Sequence, residues 1–169
     1  VPDHLAIVRG AGSYLTGRAR EHAASRVQFP GLFQDESGRD TIAKFGAVKQ
    51  MLAEMEAQRI LVETLSLLDP GPQDDAWTGA AVRKILAADA FGPQPGSFSY
   101  NAGQIFGGTA FSEDDCLAKY YRDSSPFRFL IAHDDVLRTE IGRRRLEAVS
   151  AGASLIPVSL QEEAWLEAL

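Results

Sequence analysis

One run of sequence limits what this chain can fold into more than any other. Between Thr41 and Leu68 the apolar residues Ile42, Phe45, Val48, Leu52, Met55 and Val62, with the aliphatic stem of Arg59, recur every three or four positions. That is the period of a helix with one buried face. The run is also far longer than a strand, which typically has about 5–6 residues. It predicts a long amphipathic helix with Asp40 as N-cap. Asp69-Pro70-Gly71-Pro72 ends it, because proline cannot continue the hydrogen-bond ladder.

The rest of the chain repeats this pattern in shorter pieces. A helix is expected from Asp75 to Ala90, with Trp77, Ala81, Val82, Ile85 and Leu86 on its apolar side and its stop at Gly92-Pro93-Gln94-Pro95-Gly96. A shorter one, Ser97 to Ile105, precedes the glycine pair Gly107-Gly108, which marks a turn or a close backbone approach. Ser112 reads as an N-cap, with Glu113, Asp114 and Asp115 in the first turn of a helix carrying Leu117, Tyr120 and Tyr121 and broken at Pro126. Asp134 to Val149 follows, its apolar side formed by Val136, Leu137, Ile141, Leu146 and Val149, with Arg143, Arg144 and Arg145 toward its negative end. Ser159 and Glu162 form a capping box for a terminal helix.

The opening stretch, Leu5 to Arg26, admits two readings. As a strand followed by Gly10-Ala11-Gly12, it imitates a dinucleotide fingerprint, with Asp35 where a ribose-binding acid would sit. As a helix, its small residues let a neighbour approach the backbone closely. Leu15 occupies the third glycine position, and the next hundred residues hold almost no alternating run of β-formers. The helix is the better reading. Short links between amphipathic helices imply antiparallel neighbours, so the expected fold is all-α, an up-and-down four-helix bundle with short extra helices, in one domain over 1–169.

Composition narrows the function. The 169 residues, 45% of them apolar, are enough for one core. With 17 Lys+Arg against 23 Asp+Glu the net charge is -6, and no basic cluster exceeds Arg143 to Arg145, so a nucleic-acid partner is not expected. Apolar stretches such as Leu5 to Val8 fall well short of the ~18 residues of a membrane span. The single cysteine, Cys116, cannot form an internal disulfide; it is expected as a small buried or half-buried side chain in a reducing compartment, the cytoplasm or, in a eukaryote, the mitochondrial matrix. None of His4, His22 or His133 belongs to a Glu-x-x-His pair, and one Cys with three scattered His makes a poor zinc set, so no metal is expected. No Gly-x-Ser-x-Gly elbow or Gly-Lys-Ser/Thr phosphate loop occurs. The chain opens Val1-Pro2-Asp3, without an initiator Met, and is expected to be a segment of something longer.

Four further segments carry a resemblance. Gly17 to Phe29 ends in Arg26-Val27-Gln28-Phe29; Met51-Leu52-Ala53-Glu54-Met55 lies in the long helix; Gln104-Ile105-Phe106-Gly107-Gly108 and Tyr121-Arg122-Asp123 follow in that order. Together they resemble the C-terminal helical domain of the acyl-CoA dehydrogenase family, with its Arg-x-Gln/Thr-Phe, Gln-Ile-x-Gly-Gly and Arg-Asp motifs. The resemblance covers Leu5 to about Leu146. It implies FAD as cofactor, an acyl-CoA thioester as substrate, assembly into a dimer or tetramer, electron-transferring flavoprotein as a further partner, and two more domains ahead of this one. By the same resemblance Arg26 and Gln28 reach the FAD pyrophosphate beside Phe29. Gln104, Ile105, Phe106, Gly107 and Gly108 contact the adenosine side, and Phe45 with Gly46 forms another cofactor-contacting pair, although the family usually has Gln where this chain has Gly46. A planar guanidinium fork suits phosphate oxygens, and glycines remove the Cβ atoms that would block close approach.

The departures matter as much. In many members of that family a glutamate eight residues after the Arg-Asp aspartate removes the substrate's α-proton as hydride passes to the flavin. Eight residues after Asp123 lies Ile131, and the family's Glu-Gly-Thr corresponds to Ile131-Ala132-His133. Isoleucine has no lone pair with which to accept a proton. In another branch the base sits at the start of the first long helix, which places it before Val1. Asp134 and Asp135 are nearby acids but are better read as caps of the following helix. Gln34 to Thr41 and Pro93 to Gly96 are insertions relative to the family pattern. Three readings stand: an FAD-dependent acyl-CoA dehydrogenase of which this is one domain, a non-catalytic assembly or partner-binding bundle of the same ancestry, and a flavin oxidase or monooxygenase on the same scaffold.

Overall fold

The computed structural model describes residues 4–27, 40–67, 76–112 and 115–152. It divides into two compact units, Val1–Ala132 and His133–Leu169. The first contains α1 (His4–Ser25), α2 (Gly46–Leu67), α3 (Ala76–Phe91), α4 (Phe98–Phe106) and α5 (Leu117–Ser124), with 3-10 turns at Ile42–Lys44, Gly107–Phe111 and Ser125–Arg128. The second contains α6 (Asp134–Ser150). Among the described residues the sole β-type pairing is one antiparallel bridge, Val27 to Thr41. The architecture is an all-α bundle, and the strand reading of Leu5 to Val8 is excluded.

Helix α1 packs against α2, α3 and α4 at once, which explains its composition. Leu5, Val8 and Leu15 are fully buried, while Ala11, Gly12, Ala19 and Ala23 keep the remaining contact surface small. At Gly12 the neighbour is the buried ring of Phe98, and a Cβ there would lie 2.5 Å from Phe98 Cε2. Met55 and Val62 of α2 complete the core from the other side.

Helix α2 starts later than its periodicity suggests. Ile42–Lys44 form a 3-10 turn, Phe45 is extended, and the α-helix begins at Gly46. A tertiary tie accompanies this: Ile42 N–H donates to the Arg26 carbonyl at 3.0 Å, which commits that donor to α1's end rather than to a helical turn. Phe45 then takes the cap position, its carbonyl accepting from Lys49 N at 3.0 Å. Asp40, the expected cap, instead pairs with Lys44 at 3.6 Å.

Helix α3 corrects a second expectation. Trp77 and Val82 are exposed, and the buried face carries Thr78, Ala81, Lys84, Ile85, Ala87 and Ala88. Ala81 and Ile85 face inward as expected, but half of the buried face is alanine, so Trp77 and Val82 misdirect a reading by hydrophobicity.

The corner from α3 into α4 is satisfied by hydroxyls. Ser97 caps α4 by accepting from Tyr100 N at 3.2 Å and donates to the Gly92 carbonyl. Ser99 Oγ lies 2.6 Å from Phe91 O, 2.8 Å from Gly92 O and 3.1 Å from Ser124 Oγ. These bonds serve carbonyls at the end of α3, which otherwise lack partners. Buried Asn101 ties α4 to α2: its amide donates to Met51 O at 3.3 Å and Glu54 Oε2 at 3.0 Å, and its carbonyl accepts from Gly96 N at 3.3 Å.

At two helix starts the cap differs from the expected one for local reasons, while α6 begins at Asp134 as its sequence predicts. Ser112 closes the 3-10 turn by donating its N–H to Thr109 O, and α5 begins at Leu117, whose N–H is accepted by Asp115 Oδ1 at 3.2 Å. In α6 the cap is His133, Nδ1 accepting from Asp135 N at 3.2 Å, with Asp134 and Asp135 in the first turn. Arg143 to Arg145 fall short of the last turn of α6; Arg143 pairs with Glu140 and Glu147, and Arg144 with Glu140. Val136 and Leu146 are exposed. Gln28, Phe29, most of the Gln34–Thr41 insertion, the Asp69–Pro72 stop, Glu113, Asp114 and the Ser159/Glu162 capping box lie outside the described residues.

Candidate nucleotide-binding face

Tyr14, Arg18 and His22 are four residues apart on α1, so they share one face, and each meets the segment between Phe106 and Tyr120. Tyr14 Oη lies 3.0 Å from Cys116 Sγ, and its ring stacks on Tyr120 with centroids 5.5 Å apart. Arg18 Nη2 donates to Asp115 Oδ2 at 2.9 Å. His22 stacks on Phe106 at 4.0 Å, the two rings inclined by 19°. Cys116 is therefore exposed and hydrogen-bonded rather than buried.

The charges on this face follow from the same contacts. Burial favours a neutral Asp115, but hydrogen bonds from Arg18, the Leu117 N–H and Cys116 outweigh it and hold the carboxyl below its ordinary range. The hydrogen bond with Cys116 pushes the Tyr14 phenol up, reinforced by burial. Burial lowers the His22 pKa, and the neighbouring cations Arg26 and Arg18 lower it further.

These contacts bring most of the expected residues to one end of the bundle. Arg26 follows α1 directly, its N–H donating to His22 O at 2.8 Å, and its side chain is exposed. The stack of His22 on Phe106 sets the end of α1 beside the end of α4, where Gly107 and Gly108 are exposed. Gly107 has φ +60 and ψ -138, a conformation that disfavours any side chain, and neither glycine has an atom within 4 Å of a would-be Cβ. Gln104 is exposed on the last turn of α4, whereas Ile105 and Phe106 are buried and support the glycines from beneath. The Val27 to Thr41 bridge draws in the start of α2: Phe45 is half-buried against the core, and Gly46 is exposed.

Tyr14, Arg18 and His22 are the residues that sequence reasoning passed over. Their four-residue spacing, continued by Arg26, was the available signal, but it acquires meaning only beside the partner segment. Ile131 is 69% exposed, an aliphatic side chain where the resemblance places a carboxylate. Among the described residues no cluster of His, Cys, Asp and Glu is suited to a metal ion, and no helix is long and apolar enough to cross a membrane.

No protein-family model matches the chain, and no curated protein sequence matches it. Solved structures do. Butyryl-CoA dehydrogenase from Megasphaera elsdenii superposes with a TM-score of 0.63 at 26% identity, over 85% of this chain and 35% of that one. The electron transferring flavoprotein of Acidaminococcus fermentans gives 0.63 at 27% identity, over the same 85% and 35%. The chain has an acyl-CoA dehydrogenase helical fold. The FAD complex of PigA shares that fold, with a TM-score of 0.61 at 21% identity over 85% of this chain and 34% of that one. The acyl-CoA dehydrogenase-like chain spans about a third of the length of each of these structures.

Proposed function

We propose that this chain is the C-terminal helical domain of an FAD-dependent acyl-CoA dehydrogenase and supplies one wall of a flavin-nucleotide site and an oligomerisation surface. The observation that carries the reading is the convergence of exposed Arg26 with the bare backbone of Gly107 and Gly108, fixed by the stack of His22 on Phe106. The exposed Arg26 guanidinium fits the cofactor's anionic part, on a face where Asp115 is already engaged by Arg18.

In this reading Arg26 and Gln28 bind pyrophosphate oxygens, with Phe29, Phe45 and Gly46 flanking them. Gln104, Gly107 and Gly108 lie along the adenosine side, with Ile105 and Phe106 holding them in place. Bound FAD supplies the hydride acceptor for α,β-dehydrogenation of an acyl-CoA thioester, with electron-transferring flavoprotein as the onward partner. The proton acceptor comes from elsewhere in the polypeptide, because Ile131 has no atom that accepts a proton.

The test is flavin retention by the full-length protein. One charge-assisted hydrogen bond is worth about 1.5–3 kcal/mol, so Arg26→Ala weakens FAD binding roughly 10–100-fold, measured by flavin fluorescence on titration. Unchanged affinity refutes the assignment of Arg26. The aliphatic Ile131 favours one second reading, a non-catalytic assembly bundle of the same ancestry. A full-length protein that binds no flavin and dehydrogenates no acyl-CoA supports that reading instead.

A further inference from the structure

After the 3-10 turn Ser125–Arg128 the chain makes an exposed tip of Phe129, Leu130 and Ile131. Among the described residues Ile131 alone, apart from glycines, has positive φ, at +72. Ala132 N–H donates to the Leu130 carbonyl at 2.9 Å, closing a three-residue ring around Ile131. This is a γ-turn with a left-handed centre, the rarer and strained form. A β-branched side chain tolerates that region poorly, and such strain persists only where surrounding structure over-determines it.

Lys84 supplies that constraint. It lies on α3 with its side chain buried, and Nζ donates to the Arg128 carbonyl at 3.0 Å and the Ala132 carbonyl at 2.9 Å. Those two carbonyls bound the tip, so one ammonium joins both of its ends. The base of the tip is fixed as well, since Phe129 N and Leu130 N both donate to Pro126 O. Hydrogen bonds from a charged donor are about twice as strong as neutral ones, which suits Lys84 to hold a conformation that the local sequence disfavours.

We propose that Lys84 is a positioning residue: by bridging the Arg128 and Ala132 carbonyls it locks the Phe129–Ile131 tip into the γ-turn that presents Ile131 outward. The tip then offers fixed hydrocarbon at the position where the resemblance places a proton acceptor. That this hydrocarbon lines a thioester chamber rests on the flavoprotein reading; the clamp itself does not.

The experiment is amide hydrogen exchange on the whole chain, with and without Lys84→Met. Exchange at Ala132 is expected to accelerate tenfold or more in the variant while the amides of α1 and α2 keep their rates, and unchanged exchange at Ala132 overturns the clamp. Ile131→Gly tests the strain independently, even if Lys84→Met does not fold. Glycine enters the left-handed region freely, so Tm rises by about 2–4 °C, the shift that ~1 kcal/mol produces at this size, and a fall in Tm overturns the proposal. If Lys84→Met folds, Ile131→Gly placed in that background no longer raises Tm, because the freed tip has already left the strained conformation; a full gain there overturns the coupling. No flavin enters these measurements, so the clamp and the flavoprotein reading succeed or fail separately.

Discussion

Helix α1 holds three glycines, and their surroundings give the same substitution opposite signs. Alanine at Gly10 or Gly17 meets nothing within 4 Å. Replacing glycine within a helix then stabilises by roughly 0.5–1 kcal/mol, through lower unfolded-state entropy. At Gly12 the new methyl would sit 2.5, 2.6 and 2.9 Å from Phe98 Cε2, Cζ and Cδ2. Phe98 is fully buried and cannot swing into solvent. Overpacking of this kind costs about 1–3 kcal/mol, and subtracting the propensity gain leaves Gly12→Ala destabilising by up to about 2 kcal/mol. For a domain of this size that is a drop in Tm of roughly 4–8 °C, against a rise of roughly 1–4 °C at Gly10. Urea denaturation of the three single variants reads the signs directly. The double variant Gly12→Ala with Phe98→Leu is the control: removing ring atoms recovers part of the loss, so the two changes are non-additive. The reasoning fails if Gly12→Ala stabilises as Gly10→Ala does, or if the double variant shows no coupling.

Two further outcomes follow from the polar contacts. His22 has a folded-state pKa below its ordinary 6.5, chiefly through burial. As pH falls through 6.5 the unfolded chain takes up a proton before the native one does, so this group's contribution to stability is present above that pH and declines on acidification below it; His22→Phe flattens that slope in urea titrations, and an identical slope contradicts the assignment. Asn101→Ala strips a partner from each of the part-buried Gly96 N and Met51 O, costs about 2 kcal/mol in the same assay, the low end of about 1–3 kcal/mol per stranded group because both are only half-buried, and lets the Glu54 pKa, held down by Gln50 and then Asn101, rise toward its usual value by NMR titration.

The sequence alone determined that the chain is helical and roughly where its helices stop. Repeats of three and four and the Pro93-Gln94-Pro95-Gly96 corner are local signals, since helix hydrogen bonds and proline's missing donor act within a few residues. The motif order also pointed to Arg26 and to Gln104 through Gly108. Tertiary structure decided the rest. It moved the start of α2 to Gly46, with Ile42 tied to Arg26, and it turned α3 so that small alanines face inward and Trp77 outward. It also gave Tyr14, Arg18 and His22 their partners on a segment nearly a hundred residues away, and placed Lys84 beneath a left-handed Ile131. Each of these depends on which distant group the fold brings alongside, and a pattern confined to one helix carries no information about that.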